Sequence, residues 1–157
     1  MGILGTRRRL LGVAGVAAVI VTTVGVAAAQ GDRSAARGEF VLTETTTARA
    51  SVDVDGSGTS TPGDAFIFHS VLTNAAGTAV GSVDGHCVVL IGARNLCHSV
   101  ATLARGTLST TFVATAGSAT LNISIDGGTG RYDRARGQIT ATRATSTAFR
   151  EVFDIDR

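Results

Sequence analysis

From residue 39 onward, turn-forming residues interrupt this chain about every ten positions, and no segment between them carries an apolar stripe at helical spacing. The punctuation is Asp55-Gly56-Ser57-Gly58 with Pro62-Gly63, Asn74-Ala75-Ala76-Gly77, Asp84-Gly85, Gly92, Arg105-Gly106, Ala116-Gly117 and Asp126-Gly127-Gly128. Glycine reaches positive φ without steric cost, and Asn and Asp side chains bond their own backbone, so these clusters reverse the chain. Between them threonine and valine abound, and their β-branched side chains suit a pleated surface. The spacing predicts strands over 39–47, 65–73, 78–83, 85–91, 97–104, 107–115, 118–125, 137–145 and 147–155. Short loops join sequential antiparallel neighbours, and a long sheet without helices must close to hide its edges. These ranges amount to eight or nine strands, and the expected fold is all-β, an eight-stranded antiparallel β-barrel rather than a sandwich.

The start of the chain is of another kind. Arg7, Arg8 and Arg9 precede an apolar run from Leu10 to Val26, and Ala27-Ala28-Ala29-Gln30 follows. A basic stretch, an apolar stretch and a small-residue cleavage site make an export signal over residues 1–29. Thr6-Arg7-Arg8 also fits the twin-arginine form, which leaves the export route open. The apolar run reaches only the lower limit for a membrane span, and an uncleaved anchor in the cell envelope is the alternative. Cleavage after Ala29 leaves a polar, flexible lead-in over 30–38 and a barrel domain over 39–157, secreted and free of the membrane.

Removing the leader changes the charge. The whole chain has 14 basic residues, all arginine, against 12 acidic ones. Without Arg7, Arg8 and Arg9 the balance is 11 against 12, or −1. A domain with no positive surplus forfeits the counterion release that drives polyanion binding, so nucleic acid is not an expected partner. At 44% hydrophobic and 17% charged, the chain is also too apolar to be disordered.

Cys87 and Cys97 stand symmetrically about Gly92, where a hairpin turn is expected. In that register the two cysteines face each other across antiparallel strands at disulfide distance, and an exported chain meets an oxidising compartment. His86 and His98 share the same symmetry on the opposite face. Histidines and cysteines on opposite faces cannot share one zinc ion, so no metal site and no cofactor is expected.

An eight-stranded barrel is just wide enough to fill with side chains or to hold one small ligand. Six phenylalanines and one tyrosine are its only aromatic residues, among many small ones. The interior therefore either collapses or stays open. In the open case Phe66, Phe68, Leu72, Leu103, Leu108, Leu121, Ile123, Phe149 and Phe153 are candidates to line an apolar cavity.

Gly127-Gly128-Thr129-Gly130 leads through Tyr132 to Ala135-Arg136-Gly137. No lysine follows the glycines as a phosphate loop would require. This run resembles the late signature of the allene oxide cyclase-like and dirigent-like barrel superfamily, with the same order and spacing. Gly63-Asp64 with Phe66 and Phe68, Val80-Gly81, and 85–91 are similar to the middle strands of the cyclases. The resemblance spans roughly 39–155 and implies a calycin-type barrel with an apolar cavity, assembled into a homo-oligomer, often a trimer in the plant members. It further implies an isomerase or cyclase that acts by orienting a small hydrophobic ligand, with Glu44 at the place of the glutamate that offsets developing positive charge. Two other readings stand beside it: a non-catalytic, lipocalin-like carrier lined only by apolar groups, and a cell-surface structural or interaction barrel with a filled core. Whether Glu44 points into an open interior or out to water separates them.

Overall fold

The computed structural model describes residues 38–156, where eight strands close into one antiparallel barrel in sequence order. The strands are β1 (Gly38–Val52), β2 (Ala65–Thr73), β3 (Ala79–Leu90), β4 (Arg94–Leu103), β5 (Gly106–Thr115), β6 (Thr120–Gly128), β7 (Arg136–Arg143) and β8 (Ala148–Asp156). A single turn of 3-10 helix, Gly130–Tyr132, lies between β6 and β7. The export signal expected over 1–29 and the lead-in up to residue 37 lie outside the described residues.

The β3–β4 register places Cys87 opposite Cys97 and His86 opposite His98, as symmetry about Gly92 requires. Cys87 and Cys97 form a disulfide, and both are buried. The histidine rings stack on the outer face, with centroids 5.5 Å apart.

Asp126-Gly127-Gly128, expected as a turn, is instead the end of β6, paired with β5. Two further features depart from the sequence reading and bear on the site. Residues 78–83 and 85–91 were expected as separate strands divided by a turn at Asp84-Gly85, yet β3 runs straight through. Gly85 is glycine because the Phe68 ring covers it: a Cβ there would stand 2.5 Å from Phe68 Cζ. A glycine inside a strand often marks such a close approach. Asp84 points outward and takes its hydrogen bond from His69, 2.7 Å away. The second departure is in β1, which continues five residues beyond the expected end at Thr47. A bulge between Thr46 and Ala48 shifts its pairing with β2. One extra residue reverses the parity of the strand. Before the bulge Leu42, Glu44 and Thr46 pair with or flank inward residues of β2, and after it Arg49 pairs with inward Phe68.

The two ends of the barrel differ. At the end bearing the β2–β3, β4–β5 and β6–β7 connections the interior is packed. Leu42, Leu72, Leu108, Ile125, Phe153 and Ile155 are buried there with Tyr132 and Ala135 of the β6–β7 connection. Phe40 stacks on Phe153, with ring centroids 4.5 Å apart. Burying each such side chain contributes roughly 1.5–3 kcal/mol. The glycine-rich signature is what lets this connection close down. Thr129 N–H donates to Thr107 O at 2.9 Å and Arg131 N–H to Arg105 O at 2.8 Å. A Cβ on Gly128 would meet Thr107 O at 2.2 Å, so only glycine permits the approach. The opposite end stays open, and it is where the site lies.

Candidate functional site

A cavity of about 630 Å3 occupies the open half of the barrel. Its walls follow from strand alternation, since side chains of like parity share a face. On β8 the inward residues are Phe149, Glu151, Phe153 and Ile155; on β7 they are Ile139, Ala141 and Arg143, paired with Phe153, Glu151 and Phe149 in turn. Phe66 and Phe68 of β2, Val83 of β3, Phe112 of β5 and Leu121 and Ile123 of β6 add to the apolar lining. Of the chain's six phenylalanines, only Phe40 is not in the cavity wall.

The expected lining residues divide by depth. Phe66, Phe68, Leu121, Ile123, Phe149 and Phe153 line the cavity. Leu72, Leu103 and Leu108 do not: Leu72 and Leu108 are completely buried, and Leu103 packs against the same cluster at the closed end. They face inward as their parity demands, but too far down the axis to reach the open volume. Gly127, Gly128, Thr129, Gly130, Tyr132 and Gly137 also belong to the closed end and line no part of the cavity.

Glu44 faces the interior and lines the cavity. Opposite β1, Glu151 pairs with Leu42 and Phe149 pairs with Glu44, so the two glutamates are diagonal neighbours on one inward face. Glu151 is only 3% exposed. Burial in the apolar wall, then the charge of Glu44, then a hydrogen bond to Glu44, push the Glu151 carboxyl up to about 10. At neutral pH Glu151 is a neutral acid held beside a second carboxyl, the arrangement that lets one group donate a proton or hydrogen bond while the other supplies charge. Hydroxyls continue the polar strip: Ser70 Oγ donates to Thr46 Oγ1 at 3.3 Å, and Ser99 and Thr110 hydroxyls lie 2.6 Å apart.

Two arginines stand at the mouth. The Arg49 guanidinium lies 3.7 Å from the centroid of the Phe66 ring, and that of Arg143 4.7 Å from the centroid of Phe149. Beside them the β1–β2 loop is held by its own carboxylates. Asp53 accepts from Gly56 and Gly58 N–H, both at 2.8 Å, and Asp64 from Val54 N–H at 2.9 Å and Thr61 N–H at 2.7 Å. The Thr61 hydroxyl, ahead of Ser57, holds the Asp55 carboxyl down at about 2, and the Thr61 and Val54 amides hold Asp64 below its ordinary range. Oxygens of Asp53, Asp55 and Asp64 lie within 4.8 Å of one another, the only group of three or more such side chains among the described residues that could share a cation. The loop's own amides and hydroxyls take up these charges, and the cluster reads as the scaffold of the rim.

Glu151, Arg49, Arg143 and Phe112 were not singled out from sequence. For Glu151 the signal existed: it shares parity with Phe149, Phe153 and Ile155, an acid set among inward apolar residues. For Arg49 it did not, because the bulge reverses parity just before it.

No protein-family model matches the chain, and no curated protein matches it by sequence. Solved structures do. One is a pyocyanin demethylase, with 24% sequence identity and a TM-score of 0.64, over 74% of this chain and 99% of that one. A Diels-Alderase from Streptomyces koyangensis has 20% identity and a TM-score of 0.64; the match covers 76% of this chain and 64% of that longer one. A pterocarpan synthase dirigent protein has 15% identity and a TM-score of 0.61, over 76% of this chain and 92% of that one. At these identities the likeness concerns the backbone, and it agrees with the closed eight-stranded order. Residues 38–156 have the barrel fold of the dirigent proteins and of the cyclase and Diels-Alderase barrels.

Proposed function

We propose that this protein is a secreted barrel that binds a small hydrophobic molecule in its open half and guides its cyclisation or stereoselective coupling. The observation that carries this reading is the Glu44–Glu151 pair facing an apolar cavity of about 630 Å3. A ligand held among Phe66, Phe68, Phe112 and Phe149 is restricted to few orientations, and fixed geometry alone can remove several kcal/mol from a barrier. Neutral Glu151 donates a hydrogen bond or a proton to an oxygen or nitrogen of the ligand. Glu44, half-buried in the cavity wall, sets a carboxylate against positive charge as it develops in the transition state. The structural neighbours include cyclases, Diels-Alderases and dirigent proteins, and the Cys87–Cys97 disulfide suits an extracellular setting. A pure carrier needs no acid pair in its wall, and a filled structural barrel leaves no cavity.

Mass spectrometry of small molecules that co-purify with the exported protein identifies the ligand. With that ligand in hand, Glu44→Gln is expected to lower turnover by about a hundredfold while the thermal midpoint stays within a few degrees. Full turnover in the variant removes Glu44 from the chemistry. A native preparation that neither carries nor takes up any apolar molecule refutes the binding function itself.

A further inference from the structure

The mouth of the cavity is charged with the opposite sign to its depth. Arg49 and Arg143 both line the cavity, and each guanidinium sits over the ring of a wall phenylalanine. Neither is in an ion pair among the described residues. Arg143 spends Nε and Nη2 on the Ser118 carbonyl, at 3.4 and 3.3 Å, which fixes its plane and leaves Nη1 free. Arg49 is brought to the inner face only by the bulge in β1, five residues beyond Glu44 and roughly 15 Å up the strand. An arginine that meets no carboxylate, is stacked on a ring and turned inward at a cavity rim is placed to take an oxyanion from a ligand. Five phenylalanine rings stand around the open volume among small and aliphatic side chains.

Accepting that the cavity binds a ligand, as proposed above, we infer that the ligand is an aromatic amphiphile carrying an anionic oxygen group. Its aromatic body lies among the phenylalanines, and its anionic group stays at the mouth between Arg49 and Arg143. The acid pair at depth repels the charged end and the guanidiniums hold it, so the ligand enters in one direction. Arg49 and Arg143 are specificity-determining residues and take no part in bond making.

The test uses two fluorescent probes with the same aromatic body, anilinonaphthalene sulfonate and the uncharged phenylnaphthylamine, titrated into the folded protein. The sulfonate is expected to bind about tenfold or more tightly than its neutral counterpart, with an advantage that shrinks as salt is raised. Arg49→Gln and Arg143→Gln each weaken the sulfonate by about three- to tenfold and leave the neutral probe unchanged, while Arg49→Lys, which keeps the charge, restores most of the loss. Equal binding of the two probes, or variants that weaken both alike, overturns the anionic-ligand inference and leaves the cavity reading intact. Binding of neither probe by protein that melts cooperatively overturns both.

Discussion

Replacing Glu151 by glutamine tests whether a neutral acid is buried in the barrel wall. The side chain is 3% exposed and titrates at about 10 in place of 4.5. Between those two values the folded chain keeps a proton that the unfolded chain has released. Stability is therefore intact below 4.5, falls as pH rises, and levels off only above about 10. The slope is about 1.4 kcal/mol per pH unit, so the loss attributable to this carboxyl reaches about 3 kcal/mol at pH 7. Glutamine has the same shape and can still donate to Glu44, but it has no proton to lose. Glu151→Gln is expected to match the parent near pH 4.5 and to become progressively more stable than it above that. Urea unfolding of both proteins at a series of pH values from about 5 to 9 measures the difference directly. Parallel curves, with a gap that changes by less than about 1 kcal/mol over that range, would refute the neutral-acid assignment.

Two further outcomes follow from the barrel wall. Titration of the folded protein with a thiol reagent finds no reactive thiol, because Cys87 and Cys97 are joined; replacing both by serine costs about 3 kcal/mol, as expected for a loop closed over so short a separation, and a variant as stable as the parent would contradict it. Gly85→Ala drives the new methyl into the Phe68 ring and costs about 1–3 kcal/mol, lowering the thermal midpoint by several degrees. Gly127→Ala is the control: its Cβ meets nothing nearer than Arg136 Nη1 at 3.6 Å, and an equal loss in both variants would show that the Phe68 contact is not the cause.

The sequence was most legible where symmetry constrained it. Cysteine and histidine pairs centred on Gly92 determine one register and no other, and the observed pairing is that register. Phe66, Phe68, Phe149 and Phe153 were also legible as inward, while the direction of Glu44 was open in the sequence and is inward in the structure. Parity carried no information about depth. Leu72 and Phe66 have the same parity on β2, yet one is in the packed end and the other at the mouth, because depth depends on how far each strand is staggered against its neighbours. Asp84-Gly85 misled for a local reason: the dipeptide that makes a tight turn also makes a gap in a strand, and only Phe68, sixteen residues earlier, distinguishes them. Glu151 was hidden by its ordinariness, since a single acid in a strand is usually a solvated one.

The bulge at Thr46–Ala48 separates the lower and upper halves of β1 into two reading frames. Below it, inward positions present Leu42, Glu44 and Thr46; above it, the opposite parity presents Arg49 and Ser51. Excising Thr47, the unpaired residue of the bulge, would leave Ala48 opposite His69 and Arg49 opposite Phe68, so Arg49 would stay on the inner face; pairing Thr47 into the ladder would instead turn Ala48 and Ala50 inward and Arg49 out to water. The electrostatic character of the entrance thus depends on where one residue is left unpaired as much as on which residues follow it. A one-residue register shift that pairs Thr47 exchanges a cationic entrance for a neutral one while the acid pair below and the closed base stay as they are.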